Sequence, residues 1–198
     1  KYFSGWKGRA DVVNEGMADL TAPAMPKGKK VYLFDDPKKT QTQTTQICRL
    51  NYEGDSDRHA ISVMSELVFT RTFSQLRIKE GLAYSPGGYA SNYDKYGIMA
   101  FSSLAVNRGV GRTLEFFDEA IREMENGEFD EGILQQAKLR KAREAGVTGQ
   151  STGQMMDKLV AVISNERTWS SISDMGKGYA AVSKEQLQRL SKGCADNS

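Results

Sequence analysis

Three kinds of chemistry can be sought in the residue types and spacings of this chain. The first is nucleophilic. Gly149-Gln150-Ser151-Thr152-Gly153 fits the G-x-S-x-G pattern of a serine held on a sharp strand-to-helix turn. That geometry needs a strand before the serine, a helix after it and a histidine further along. Here a polar helical stretch precedes the motif and the single histidine, His59, lies upstream, so the motif reads as a Gly/Ser-rich loop between helices. The second is metal binding. One histidine and two cysteines, Cys48 and Cys194, far apart in sequence, give no C-x-x-C pair, no H-E-x-x-H and no histidine cluster. His59 has Ser62 and Val63, neither of them a ligand, at i+3 and i+4, and in the first turn of a helix it reads as a surface or capping residue. This chain is expected to hold no metal and no cofactor of its own. The two cysteines can pair or stay free, and their spacing decides neither that nor the redox compartment. The third is phosphate binding. Gly109-Val110-Gly111 lacks the third glycine of a dinucleotide fingerprint, and Gly176-Lys177 lacks the upstream glycine of a P-loop.

Charge narrows the partners. The 27 basic and 25 acidic side chains leave a net charge of +2, too small an imbalance for an electrostatic footprint on nucleic acid or anionic lipid. No apolar run approaches the roughly 20 residues of a spanning helix. Neither nucleic acid nor a membrane span is expected. Lys138, Arg140, Lys141 and Arg143 crowd one short stretch, but so small a cluster in a near-neutral chain reads as a solvated helix face. Carboxylates are plentiful, yet no spacing singles out a general acid and base among them.

The elements that would position any functional group are legible in the periodicities. Residues 1–28 hold Gly5, Gly8, Gly16, Pro23, Pro26 and Gly28 with no sustained apolar period, the composition of a connecting segment. With no initiator Met and no apolar leader at Lys1 to Gly8, the chain reads as a mature or excised piece of something longer. Residues 29–198 are then one domain, large enough to bury roughly 70% of its unfolded surface. Val31 to Phe34 and Gln43 to Tyr52 read as two strands. Ala60, Val63, Met64, Leu67 and Val68 recur at helical spacing behind Ser56 and Asp57. Thr72 and Gln75 have capping-box spacing, predicting a second, short helix that carries Arg77 and ends at Gly81. Ala83 to Asn92 and Gly97 to Val106 read as a hairpin turning at Asp94-Lys95. Ile98 to Phe101, apolar on both faces, reads as a central strand. Leu114, Phe117, Ile121 and Met124 mark a helix stopped by Asn126-Gly127, and a polar helix follows over 130–145. Met155 to Ile163 gives another, and Ser183 with Gln186 caps a last one bearing Leu187 and Leu190. This order lacks βαβ alternation. It predicts an α+β domain with a mainly antiparallel sheet and helices packed on one face.

The stretch Phe73-Ser74-Gln75-Leu76-Arg77-Ile78-Lys79-Glu80-Gly81-Leu82-Ala83-Tyr84-Ser85 resembles the signature of the C-terminal type of domain in M16 metallopeptidases, the pitrilysin, insulinase and mitochondrial processing peptidase group. Other stretches follow in that family's order. Lys30 to Asp36 with Gln43 to Gln46 resembles its opening strands, Asp94 to Phe101 its hairpin, Asp130 to Lys138 its acid-rich helix start and Ser183 to Leu190 its closing helix. Lys1 to Gly8 resembles the end of a preceding M16 domain, leading into a linker.

The resemblance implies a LuxS/M16 metallohydrolase-like fold and, since no inverted zinc motif His-x-x-Glu-His is present, the zinc-free half of a two-half peptidase. Such a half closes a clamshell chamber and helps bind a peptide or unfolded protein. Zinc is expected in a partner half, in the same chain or another, and this chain alone is expected to be inactive. The family's Arg/Tyr pair carries over to Arg77 and Tyr84 as accessory catalytic residues. A carbonyl attacked by zinc-bound water develops negative charge, and a guanidinium and a phenol can each donate a hydrogen bond to it or to a neighbouring substrate carbonyl. Two other readings stay open: a non-proteolytic scaffold subunit built on the same fold, and a free-standing module that binds extended peptides. The family leans toward the bacterial periplasm without excluding cytoplasm or mitochondrion.

Overall fold

The computed structural model describes residues 28–93, 96–147, 151–164 and 174–197. Residues 1–27 of the expected linker, the Asp94-Lys95 turn and the Gly149-Gln150 half of the serine motif lie outside the described residues. Three strands, β1 (Gln41–Leu50), β2 (Gly87–Asn92) and β3 (Gly97–Val106), pair antiparallel in the order β1-β3-β2. β3 is therefore the centre, as its doubly apolar run indicated. In register, Met99 stands opposite Cys48 on one side and Ala90 on the other. Strand alternation sends these three, with Leu50 and Phe101, to one face, where all are buried. Helices α1 (Asp55–Thr72) and α2 (Val110–Asn126) pack on that face. The other face carries Ile47, Tyr89 and Leu104, each well exposed. The domain is α+β, with an antiparallel sheet covered by helices on one side.

α1 buries Ala60, Ile61, Val63, Met64, Leu67 and Val68, each of the larger side chains stabilising the fold by about 1.5–3 kcal/mol. It lies so close to β2 that a Cβ on Gly88 would stand 2.3 Å from Val68 Cγ1 and 2.9 Å from the Ala100 carbonyl oxygen. α2 contributes Phe116, Phe117, Ala120 and Ile121 and ends at Gly127 in the left-handed conformation, φ 66°. α3 (Glu131–Val147) buries Leu134 and Ala137. Its basic residues behave as a solvated face: Arg140 pairs with Glu66 and Glu144, Lys141 with Glu144. Lys138 donates to the Val182 carbonyl. α4 (Thr152–Ser164), α5 (Met175–Ala181), α6 (Lys184–Ser191) and α7 (Cys194–Asn197) complete the described chain. Ser183 Oγ caps α6 by accepting from the Gln186 amide, the expected contact.

Two anchors tie the C-terminal helices back, one to the sheet and one to α1. Cys48 on β1 and Cys194 on α7 form a disulfide with Cα atoms 5.2 Å apart, both cysteines being buried. Asp57, fully buried in the first turn of α1, accepts from the Glu53 amide at 2.8 Å and from Gln186 Nε2 at 3.1 Å, and it pairs with Arg189.

Several expectations are corrected. Val31 to Phe34 is not a strand: it has no ladder partner among the described residues, and Val31, Leu33 and Phe34 are 86–89% exposed. Apolar, β-prone composition does not make a strand without a neighbour to receive its hydrogen bonds. Thr72 does not cap a new helix. It is itself helical, its Oγ1 donates back to the Val68 carbonyl at 2.7 Å, and α1 runs on into a π-helical turn, Phe73–Lys79. The strand read from Ala83 begins at Gly87, with Ala83 making one isolated bridge to Ala105. His59 is half-buried, edge-on to Tyr179 with ring centroids 5.1 Å apart.

Candidate functional site

Arg77 and Tyr84 are brought together by the way α1 ends. In the π-helical turn the Glu80 amide donates to the Gln75 carbonyl, five residues back, at 3.0 Å. Leu76 anchors this turn, its side chain fully buried. Gly81, at φ 63°, then reverses the chain in a conformation that side-chain-bearing residues rarely adopt. The Leu82 amide donates back to Leu76, Ala83 bridges to Ala105 on the buried side, and Tyr84 follows with 75% of its surface exposed. The result is that the Arg77 guanidinium carbon sits 4.5 Å from the centroid of the Tyr84 ring, a cation–π contact. Among the described residues neither the guanidinium nor the Tyr84 hydroxyl has a hydrogen-bond or ion-pair partner. Among the described residues the pair thus leaves donors of two kinds unused, a charged one on half-buried Arg77 and a neutral one on exposed Tyr84.

Spacing arguments missed the charged network that holds this turn. Arg71 makes a two-pronged ion pair with Glu123 on α2, at 2.8 and 2.7 Å, and donates to Gln75 Oε1 at 2.9 Å. Gln75 Nε2 donates to Glu80 Oε1 at 2.6 Å. The same oxygen accepts from Arg112 on α2, through Nε at 3.1 Å and Nη2 at 2.9 Å, and Arg112 also reaches Glu119 at 2.8 Å. Burial pushes the Glu80 carboxyl upward, but the Gln75 and Arg112 hydrogen bonds outweigh it and hold the group below its ordinary range. The Glu119 and Glu80 carboxylates raise Arg112 above its already high value. The two ion pairs that join this turn to α2, Arg112–Glu80 and Arg71–Glu123, span 32 and 52 residues of sequence, beyond any helical or strand period.

A pocket of about 340 Å³ opens between α1, α2 and the start of α3, lined among others by Leu67, Arg71, Phe101, Met124 and Ile133. Arg77 and Tyr84 do not line it. Among the described residues no three His, Cys, Asp or Glu side chains gather in a way that could hold a metal ion. Both cysteines are consumed by the disulfide and His59 packs on Tyr179, so these residues do not fit a zinc ion. No described helix is long and apolar enough to cross a membrane.

A family model for the peptidase M16 inactive domain matches residues 1–141. No curated protein matches the chain. Solved structures do. The peptidase M16 inactive domain from Pseudomonas fluorescens superposes with a TM-score of 0.65 at 19% identity, over 76% of this chain and 37% of that one. A protease from Helicobacter pylori gives a TM-score of 0.71 at 12% identity, over 85% and 41%. The periplasmic protease PqqL from Escherichia coli gives 0.64 at 13%, over 78% and 18%. At these identities the likeness is one of fold. The chain spans less than half the length of each of these structures.

Proposed function

Since the chain belongs to the peptidase M16 family as its inactive domain, we propose that it is the zinc-free half of a zinc peptidase and closes a chamber over a peptide. A His-x-x-Glu-His half, in the same chain or a partner, would supply the metal, and its substrate would be a peptide or unfolded protein. Residues 29–198 form this half and the segment before them links it to a preceding domain. Arg77 and Tyr84 face the bound chain and donate hydrogen bonds to a substrate carbonyl, stabilising negative charge as it develops on the oxygen.

The observation that carries this reading is the stacked Arg77–Tyr84 pair, Tyr84 exposed and Arg77 half-buried, whose donors have no partner among the described residues. An arginine and tyrosine retained for stability alone would be expected to spend those donors within the fold, since a hydrogen bond to a charged group contributes about 1.5–3 kcal/mol. Deleting residues 29–198 from the complete enzyme tests the reading. Hydrolysis should disappear while zinc remains on the other half. Full activity without this domain would overturn it in favour of a scaffold role.

A further inference from the structure

β2 is an edge of the sheet, with β3 on one side and, among the described residues, no strand on the other. The ladder shows which of its backbone groups are spent. The Tyr93 amide donates to the Tyr96 carbonyl at 2.7 Å, and in the same register Ser91 lies opposite Ile98 and Tyr89 opposite Ala100. Antiparallel pairs alternate between bonded and non-bonded, so Gly87, Tyr89 and Ser91 bond to β3 while Gly88, Ala90 and Asn92 turn their N–H and C=O groups outward. Among the described residues these outward groups meet no partner. Free edges are ordinarily guarded by a charge, a proline or a bulge, and Gly87–Asn92 has none of the three. An aromatic shelf flanks the edge instead. The exposed Phe69 and Phe73 stack with ring centroids 5.9 Å apart, and a Cβ on Gly87 would stand 3.7 Å from Phe69 Cδ2.

We propose that the free edge of β2 takes an extended peptide as an added antiparallel strand, whose alternate apolar side chains cover Phe69 and Phe73. A row of outward N–H and C=O groups at strand spacing is matched by another extended backbone. A second copy of this edge fits poorly, because two six-residue strands, each about 20 Å long, bury far less than the roughly 1,200 Å² of a stable interface. β2 begins three residues after Tyr84, a span of at most about 10 Å, so one end of the bound strand lies close to the Arg77–Tyr84 donors. Residues directly opposite each other share a face, and Ala90 faces the α1 side. The peptide residues that bond to the edge are therefore the same ones that meet the phenylalanines.

This inference rests on the reading that this half binds substrate, and it adds the substrate's conformation and side-chain pattern. The probe is a fluorescein-labelled peptide alternating valine with serine, about ten residues long so that it spans the edge. Its binding to the complete two-half enzyme is followed by fluorescence anisotropy, with hydrolysis blocked by a chelator. N-methylating the valines should weaken binding about 10-fold, and N-methylating the serines by less than about 2-fold. Ala90→Pro removes one outward N–H and leaves the bonds to β3 in place. It should weaken the parent peptide about 10-fold and bring the two methylated peptides within about 2-fold of each other. If Ala90→Pro fails to fold, Asn92→Pro, at a half-exposed position with the same outward N–H, takes its place. Unchanged affinity in the folded proline variant, or equal losses from the two methylation patterns, overturns the inference. So does a dimer in sedimentation that the proline variant dissolves, since the edge would then serve a second copy. Deleting residues 29–198 separates the two claims. Full activity without them fails the substrate reading and this inference together, whereas lost activity beside unchanged affinity in the proline variant fails this inference alone.

Discussion

The guanidinium of Arg77 lies 4.5 Å over the ring of Tyr84, although seven positions of chain, a π-helical turn and a left-handed glycine separate them. The ring holds the cation in place without consuming its donors, so stacking and substrate contact are separable. Tyr84→Leu removes both ring and hydroxyl, whereas Tyr84→Phe removes only the hydroxyl. The leucine variant should therefore be the more damaged of the two in kcat/KM, by roughly 3- to 10-fold for the lost cation–π contact. Equal kinetics for the two variants would show that the ring does not orient Arg77.

The Cys48–Cys194 bond closes a loop of 146 residues and fastens α7 to β1. Reduction, or Cys194→Ser, should destabilise the domain by about 2–5 kcal/mol, read as a lower midpoint in thermal or urea unfolding. Thiol labelling under denaturing conditions should find no reactive cysteine before reductant is added and two afterwards. Two free thiols in the untreated protein would contradict the pairing.

Asp57 accepts hydrogen bonds from α1's own start and from α6, and pairs with Arg189 while fully buried. Asp57→Ala leaves the Glu53 amide without its acceptor and takes one partner from Arg189, which keeps the Asn51 carbonyl and Glu53. The expected cost is about 2–3 kcal/mol, less than for a fully buried pair because Arg189 remains one-third exposed. Denaturant unfolding checks it, and a change below about 0.5 kcal/mol would show that the contact contributes little.

Much of this frame was readable from the chain. The stripes of α1 and α2, the centrality of β3, the Gly127 stop and the Ser183 cap all follow from local periodicity and cap chemistry, which sequence displays directly. Val31 to Phe34 misled because strand formation depends on a partner, and composition says nothing of that. Thr72 misled because a threonine hydroxyl can donate backward within a helix as readily as it can cap the next one. The Arg77–Tyr84 pair was legible only through family resemblance. The Glu80–Arg112 contact was not legible at all, since the two meet through the packing of α2 against the end of α1, whereas Arg112 and Glu119 are seven residues apart on α2 itself.

Glu80 also sets a pH dependence. Its folded-state value lies below the ordinary 4.5, so its contribution is fully present above about pH 4.5 and is lost as pH falls through the lower folded value. Wild type should therefore be more stable than Glu80→Gln at neutral pH, and the two unfolding midpoints should converge as the solution is acidified below 4.5. A difference that persists unchanged into acid would show that Glu80 is not held by its charge.

The central claim, that this zinc-free half takes part in hydrolysis through donors aimed at the substrate, is tested most directly by the turnover of Tyr84→Phe in the complete enzyme. The hydroxyl is exposed and has no partner among the described residues, so its loss should leave thermal stability and zinc content unchanged. The account predicts a fall in kcat/KM on the order of 10² to 10³, the size seen when one donor to a developing oxyanion is removed. Wild-type turnover in that variant, with folding and zinc intact, would contradict it.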